Sequence, residues 1–211
     1  MNRNSVTRRP IVRAMCLVAF FAASPTMAKD YLVGTQSEFE DAVEVVRPGD
    51  TIVLANGEWR DFEILFTGEG TADQPITLEA ETKGQVVISG RSNLRLGGKF
   101  LVVSGLVFRD GHSPRSPVIS FRASKERPAF HSRVTEVVID SFNKPERLNQ
   151  DSWVNMYGKH NRLDHSFFAG KSNRGVTISV QLFDRDGEGR VNIENHHRID
   201  SNYFGPRPVL G

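Results

Sequence analysis

Six cationic side chains stand in or beside two phrases that the chain writes almost identically. Arg162 and Lys171 belong to "HNRLDHSFFAGK", Arg198 and Arg207 to "HHRIDSNYFGPR", and Arg174 and Arg190 lie between them. Arginine offers a planar fork and lysine a compact point charge, the two means by which proteins hold carboxylates. Lined along a groove, such residues would grip a carboxylate-bearing polymer such as an acidic glycan. Lys171 and Arg174 in the loop "GKSNRG", and Arg207 in "GPRP", are the three candidate substrate-binding residues. For the others, an ordinary solvated strand surface is the plainer reading.

Two further groups weigh less. "DRDGEG", Asp184 to Gly189, opens like a calcium loop, but Asn195 stands where an EF-hand needs its closing glutamate, so a polar turn is the better reading. His160, His165, His196 and His197 could suggest a base or a metal site. Zinc needs three or four convergent ligands at characteristic spacings, and none is evident, which favours structural or surface histidines. No nucleophile elbow, phosphate loop or dinucleotide fingerprint occurs at a strand-to-helix junction. Asp140, Asp164 and Asp200 recur too regularly to mark the opposed carboxylate pair of a glycosidase; they read as structural ladders or turn hydrogen bonds.

The elements that must position these groups are short strands. "TIVLA", "FEILF", "ITLEA", "VVIS", "FLVVSGLVF", "VISF", "EVVIDSF", "WVNMYG" and "VTISVQL" alternate with Gly, Asn, Asp, Pro and Ser clusters of the turn-forming kind. One helix precedes them: Ser37 with Glu40 fits a capping box, Phe39, Ala42, Val43 and Val46 form an apolar stripe, and Pro48-Gly49 ends it.

Aligning Val103-Ser104-Gly105, Ile139-Asp140-Ser141, Leu163-Asp164-His165 and Ile199-Asp200-Ser201 gives steps of 36, 24 and 36 residues, each unit closing on a nearby phenylalanine. Fixed echoes of this kind signal stacked units that bury their apolar faces only against neighbours. The predicted fold is all-β, a right-handed parallel β-helix, with residues 38–46 as a short N-terminal capping helix. "FGPRPVLG" has no polar capping element, so the reading expects residues 29–211 to be the N-terminal part of a longer β-helix domain.

Residues 1–28 read as a secretory signal: Arg3, Arg8, Arg9 and Arg13 precede the apolar run "AMCLVAFFAA", and "SPTMA" supplies small residues before Lys29. The run is too short to span a bilayer, so no membrane insertion is expected after cleavage. The lone cysteine, Cys16, lies inside the signal, which removes disulfides and a thiol nucleophile from consideration. The expected location is secreted or periplasmic. With a formal net charge of +2, part of it in the signal, no nucleic-acid partner is expected.

"PGDTIVLANGEWRD", "HNRLDHSFFAGKSNRGVTISV" and "HHRIDSNYFGPRPVLG" resemble polysaccharide lyase family six, the alginate lyase and chondroitinase B group, over most of residues 30–211. The resemblance implies a bacterial, exported β-helix that cleaves uronic-acid polymers by β-elimination. It also implies a lysine base, an arginine acid and commonly a calcium ion on the uronate carboxylate. These lie in coils following the segment resembled by "RIDSNYFGPRPVLG", so the catalytic residues are expected beyond Gly211 and none is assigned here. No metal ligand is named either, and the chain alone is expected to lack the catalytic residues. Alginate is the first-choice polymer as a family prior; chondroitin or dermatan sulfate, a pectin-type activity, and a noncatalytic glycan-binding β-helix are the alternatives.

Overall fold

In the computed structural model, residues 27–115, 117–182 and 194–206 are described. Most of the expected signal, the Asp184–Gly189 turn, Arg190, and the last five residues from Arg207 to Gly211 lie outside the described residues. Three parallel sheets run the length of the molecule. Sheet one stacks Asp30–Val33, Thr51–Leu54, Ile76–Ala80, Leu101–Ser104, Arg133–Thr135, Arg162–Asp164 and Arg198–Asp200. Sheet two stacks Gly57–Arg60, Val86–Arg91, Val107–His112, Val138–Asp140, Phe167–Ala169 and Tyr203–Phe204. Sheet three stacks Glu63–Glu69, Asn93–Lys99, Ile119–Ser120, Val154–Met156 and Ile178–Val180. The chain visits the sheets in turn and starts again, which is the parallel β-helix expected.

The period-two alternation of each strand decides the fold. "ITLEA" buries Ile76, Leu78 and Ala80 and turns Thr77 and Glu79 outward, and the neighbouring strands do the same in register. Ile52, Leu78, Val103, Val134 and Leu163 form one continuous inward column, and Trp59, Ile88, Phe108, Ile139 and Phe168 another. A third column, Ile64, Leu94, Ile119 and Val154, comes from sheet three. All of these side chains are buried.

Register corrects one alignment. Val103 pairs with Val134, Val134 with Leu163 and Leu163 with Ile199, giving steps of 31, 29 and 36 residues. Ile139 belongs instead to sheet two, where it pairs with Phe108 and Phe168. The cause is local mimicry: Ser141 and His165 both follow an apolar-Asp pair and both turn the corner at positive φ.

The helix covers one end as expected but starts earlier, at Gln36–Val45. Its cap is Thr35, whose hydroxyl accepts from the Glu38 amide, while Glu38 reaches back to the Gly34 amide. The capping box is therefore Thr35 with Glu38, because Ser37 already lies in the first turn. Phe39 and Ala42 are buried, with Phe39 packed edge-on against Phe62 at 5.2 Å.

Candidate functional site

Sheet three places a set of polar side chains on one outer face. Arg95 is in register with Ser120, Ser120 with Asn155, and Asn155 with Ser179. Because adjacent strands lie about 4.8 Å apart, these four side chains form a row along the solenoid axis. Two cavities open on this row. One, of about 380 Å³, is lined by Gln150, Ser152, Asn155, Ser179 and Gln181 with the loop residues Gly175 and Val176. The other, of about 200 Å³, includes Asn93, Arg95, Arg115, Arg122 and Lys125. Ser120 lines the second cavity and pairs directly with Asn155 of the first, so the two make one groove.

Local structure fixes the side chains. The Ser152 hydroxyl meets Asn155 Oδ1 at 2.6 Å, and Gln181 Nε2 donates to Ser179 Oγ at 2.6 Å. A hairpin, Arg122–Ser124 with Arg127–Phe130, leans on the Asn93–Lys99 strand and walls the groove. Arg122 lies over the Tyr157 ring at 3.7 Å, and Arg95 donates to the Ala123 carbonyl at 3.2 Å. The groove thus offers guanidinium forks for anions and amide or hydroxyl groups for sugar hydroxyls.

The candidates from sequence are divided by the fold. Arg174 is exposed, and its loop contributes Gly175 and Val176 to the larger cavity, so it stands at the groove's margin. Lys171 is 6% exposed, with its ammonium 5.6 Å over the Trp153 ring and directed toward the Asn173 carbonyl. It lies among Trp153, Phe168 and Phe204 rather than on the groove. Arg207 falls outside the described residues, as does Gly211, beyond which the family resemblance puts the catalytic groups. Arg162 and Arg198 are engaged on sheet one: Arg162 forks onto Asp200 at 3.0 and 2.9 Å, and Arg198 meets Asp200 at 2.9 Å. The aspartate repeat is therefore the structural ladder expected for Asp164 and Asp200, while Asp140 takes the Ser141 hydroxyl at a turn.

The histidines stack or hydrogen-bond, most of them between coils. His131, His160 and His196 stack face to face beneath Phe100, at centroid separations of 4.9, 4.6 and 4.9 Å. His197 Nδ1 accepts the Asn161 amide at 3.2 Å, and His165 Nδ1 lies 2.8 Å from Asp164. Among the described residues no group of three or more acidic, imidazole or thiol side chains is arranged to hold a metal ion. Glu63, beside the groove, faces Arg115 and Asn93. A hard cation wants six to eight oxygen ligands, so the described residues do not fit a calcium site.

Sequence reasoning missed Arg95, Arg115, Arg122, Lys125, Asn155, Ser179 and Gln181. Their signal was positional: each is an outward residue of, or a loop next to, a strand whose inward neighbour is a core hydrophobe.

The described coils thus form a β-helix with a groove lined by cations and amides along one outer face. The chain belongs to the chondroitinase B family, polysaccharide lyase family six: a family model for chondroitinase B matches residues 33–211. It is similar to the family-six alginate lyase AlyGC, with 54% identity, a TM-score of 0.81, and coverage of 86% of this chain and 24% of that one. A mannuronic-acid-specific family-six lyase from human gut microbiota gives 31% identity, a TM-score of 0.74, and coverage of 85% and 41%. A family-six lyase of Pseudopedobacter saltans gives 27%, 0.67, and coverage of 83% and 46%. The chain thus spans from about a quarter to under half the length of these relatives. No curated protein matches it.

Proposed function

We propose that the chain is part of an exported lyase that cleaves a uronic-acid polymer, alginate in the first instance, by β-elimination, and that the outer face of sheet three holds the polymer. The observation that carries this reading is the row Arg95, Ser120, Asn155 and Ser179, flanked by Arg115, Arg122 and Lys125, in a chain 54% identical to an alginate lyase. Elimination removes the proton beside a uronate carboxylate, which requires that carboxylate to be neutralised as negative charge develops. Arginine forks supply neutralisation; the polar row orients the sugar hydroxyls. The base, the acid and any calcium follow from the family resemblance and are assigned to no described residue. Export fits the Arg-rich, apolar start of the chain, since a polymer of this size is met outside the cytoplasm.

A second reading, a noncatalytic glycan-binding β-helix, is favoured by the same groove, whose described residues offer cations, amides and hydroxyls but include no assigned base or acid. The test is the ultraviolet absorbance of the unsaturated uronate product after incubation with alginate, and separately with dermatan sulfate, with and without calcium. It is run on this chain and on a chain extended by further family-six coils. Product from alginate with either chain supports the lyase; binding without product from both supports the second reading.

A further inference from the structure

The smaller cavity on sheet three has features the general groove does not require. We infer that Arg95, Arg122, Lys125 and Asn93 form a discrete subsite for one uronate unit, reading its carboxylate and a neighbouring hydroxyl together. The inference rests on the groove reading proposed above and deepens it.

Four observations support it. First, cations gather there: Arg95, Arg115, Arg122 and Lys125 all line a cavity of about 200 Å³, on the scale of a single sugar ring. Second, their charge is largely uncompensated. Arg115 has Glu63 at 3.5 Å, whereas among the described ion pairs none involves Arg95, Arg122 or Lys125. Third, polar capacity is left over inside the site. Asn93 is 1% exposed; its Nδ2 donates to Glu63 at 3.3 Å, and its Oδ1 has no hydrogen-bond partner. Arg95 Nε is likewise buried without a partner, although its Nη1 is satisfied by the Ala123 carbonyl. Buried polar atoms are ordinarily satisfied, so an acceptor and a donor left open on one cavity wall mark a ligand's place. Fourth, the Arg122 guanidinium carbon lies 3.7 Å over the Tyr157 ring, a contact that restrains its fork in advance.

The open groups define the ligand. An open guanidinium N–H is met most strongly by an anionic acceptor, and the open amide Oδ1 accepts from a hydroxyl donor. A uronic acid carries both on one ring, while a neutral hexose lacks the anion. A sulfated sugar presents an anion as well, so the comparison of the two is part of the test.

The experiment is calorimetric titration of the full chain with a mannuronate or guluronate tetrasaccharide, its carboxyl-reduced neutral form, and a sulfated tetrasaccharide that contains no uronic acid. Variants are R95Q, R122Q, K125Q and N93A, with circular dichroism to check folding; K125Q is at the exposed hairpin turn and R122K retains the ring contact. The expected result is a loss of about tenfold or more in oligouronate affinity for R95Q and R122Q, as for removal of a charge-assisted hydrogen bond. K125Q should weaken binding and flatten its salt dependence, R122K should fall between wild type and R122Q, and the neutral oligomer should bind all forms equally weakly. Oligouronate affinity unchanged in R95Q and R122Q but lost in Asn155→Ala or Gln181→Ala overturns the subsite and leaves the groove standing. Preference for the sulfated oligomer overturns the uronate assignment. No oligouronate binding by the unsubstituted chain overturns the groove and the subsite together.

Discussion

Arg133 grips Asp164 across one full coil, with Nε to Oδ1 at 2.8 Å and Nη2 to Oδ2 at 2.6 Å, although the two residues stand 31 apart in the chain. The motif repeats as Arg162 with Asp200. The Asp164 side chain is fully buried on sheet one, so its charge depends on these partners. Replacing Arg133 by alanine is expected to cost about 2 kcal/mol of unfolding free energy. That is below the ~3–5 kcal/mol of an isolated buried pair, because Arg162 Nη2 remains 3.0 Å from the same carboxylate. Urea denaturation measures it; a change under about 0.5 kcal/mol would mean that the fork adds nothing beyond an exposed pair.

Burial alone would raise the Asp164 carboxyl, but hydrogen bonds from Arg133 and His165 and the Arg133 charge outweigh it and hold the group at about 2 against an ordinary 3.8. A carboxyl depressed in the folded state contributes stability that is complete above its unfolded value and is lost as pH falls toward the folded one. The difference corresponds to about 2 kcal/mol, lost mainly between about pH 4 and pH 2. Asp164→Asn should be less stable at neutral pH and should lack this part of the acid limb, as read from melting temperature against pH.

His160, in the histidine stack, titrates in another window. Burial, then the charges of His131, His196 and Lys159, lower the His160 pKa below its ordinary 6.5. Glu194, 3.9 Å from His196, is the acidic group at the far end of the stack. A lowered imidazole favours the neutral ring in the folded state, so stability is complete above about pH 6.5 and declines as pH falls below it. His160→Phe keeps an aromatic ring in the stack that Phe100 begins. This variant should fold and show a flatter decline in melting temperature between about pH 6.5 and the lowered pKa. An unchanged slope would remove His160 from the acid response.

How much of this was legible in sequence depends on distance along the chain. Arg162, Leu163 and Asp164 pair with Arg198, Ile199 and Asp200 as their shared wording implied, because the repeated phrases are adjacent coils. The strand Asn93–Lys99 was missed: its Gly97-Gly98 pair reads as a turn, yet it is a middle strand of sheet three. The groove was invisible for the same reason. Arg95, Ser120, Asn155 and Ser179 come from four coils of unequal length, and only register brings such ordinary residues into a row. Conversely, Arg162 and Arg198 read as solvated strand residues, and only the register shows that both are held by Asp200, one coil from Arg162 and on the same strand as Arg198.

Gly98 illustrates what that missed strand requires. Its φ is +125°, a region that L side chains rarely adopt, and a Cβ there would run into the Gly68 carbonyl of the neighbouring strand. Gly98→Ala is expected to destabilise the chain by more than about 1 kcal/mol, the reverse of the gain a compatible glycine-to-alanine change gives. Thermal unfolding of this variant beside Gly84→Ala is the measurement. Gly84 also has positive φ, but an added methyl there would meet nothing within 4 Å, so the difference between the two isolates the contact with Gly68.

Position in the inward column should govern the cost of removing identical chemistry. Leu163 is fully buried between Val134 and Ile199, whereas Ile199, its partner on the next strand, is 41% exposed. A large-to-small change in a closed core costs about 2–5 kcal/mol through lost transfer energy and a cavity, while an open site loses less area and leaves no cavity. Leu163→Ala is therefore expected to fall in that range and Ile199→Ala well below it in this chain, by urea denaturation. Equal costs would mean that the Ile199 side is covered in solution. The same comparison repeated in a chain extended by further coils should then raise the cost at Ile199 toward that at Leu163, because stacking another strand on Arg198–Asp200 closes the column over it.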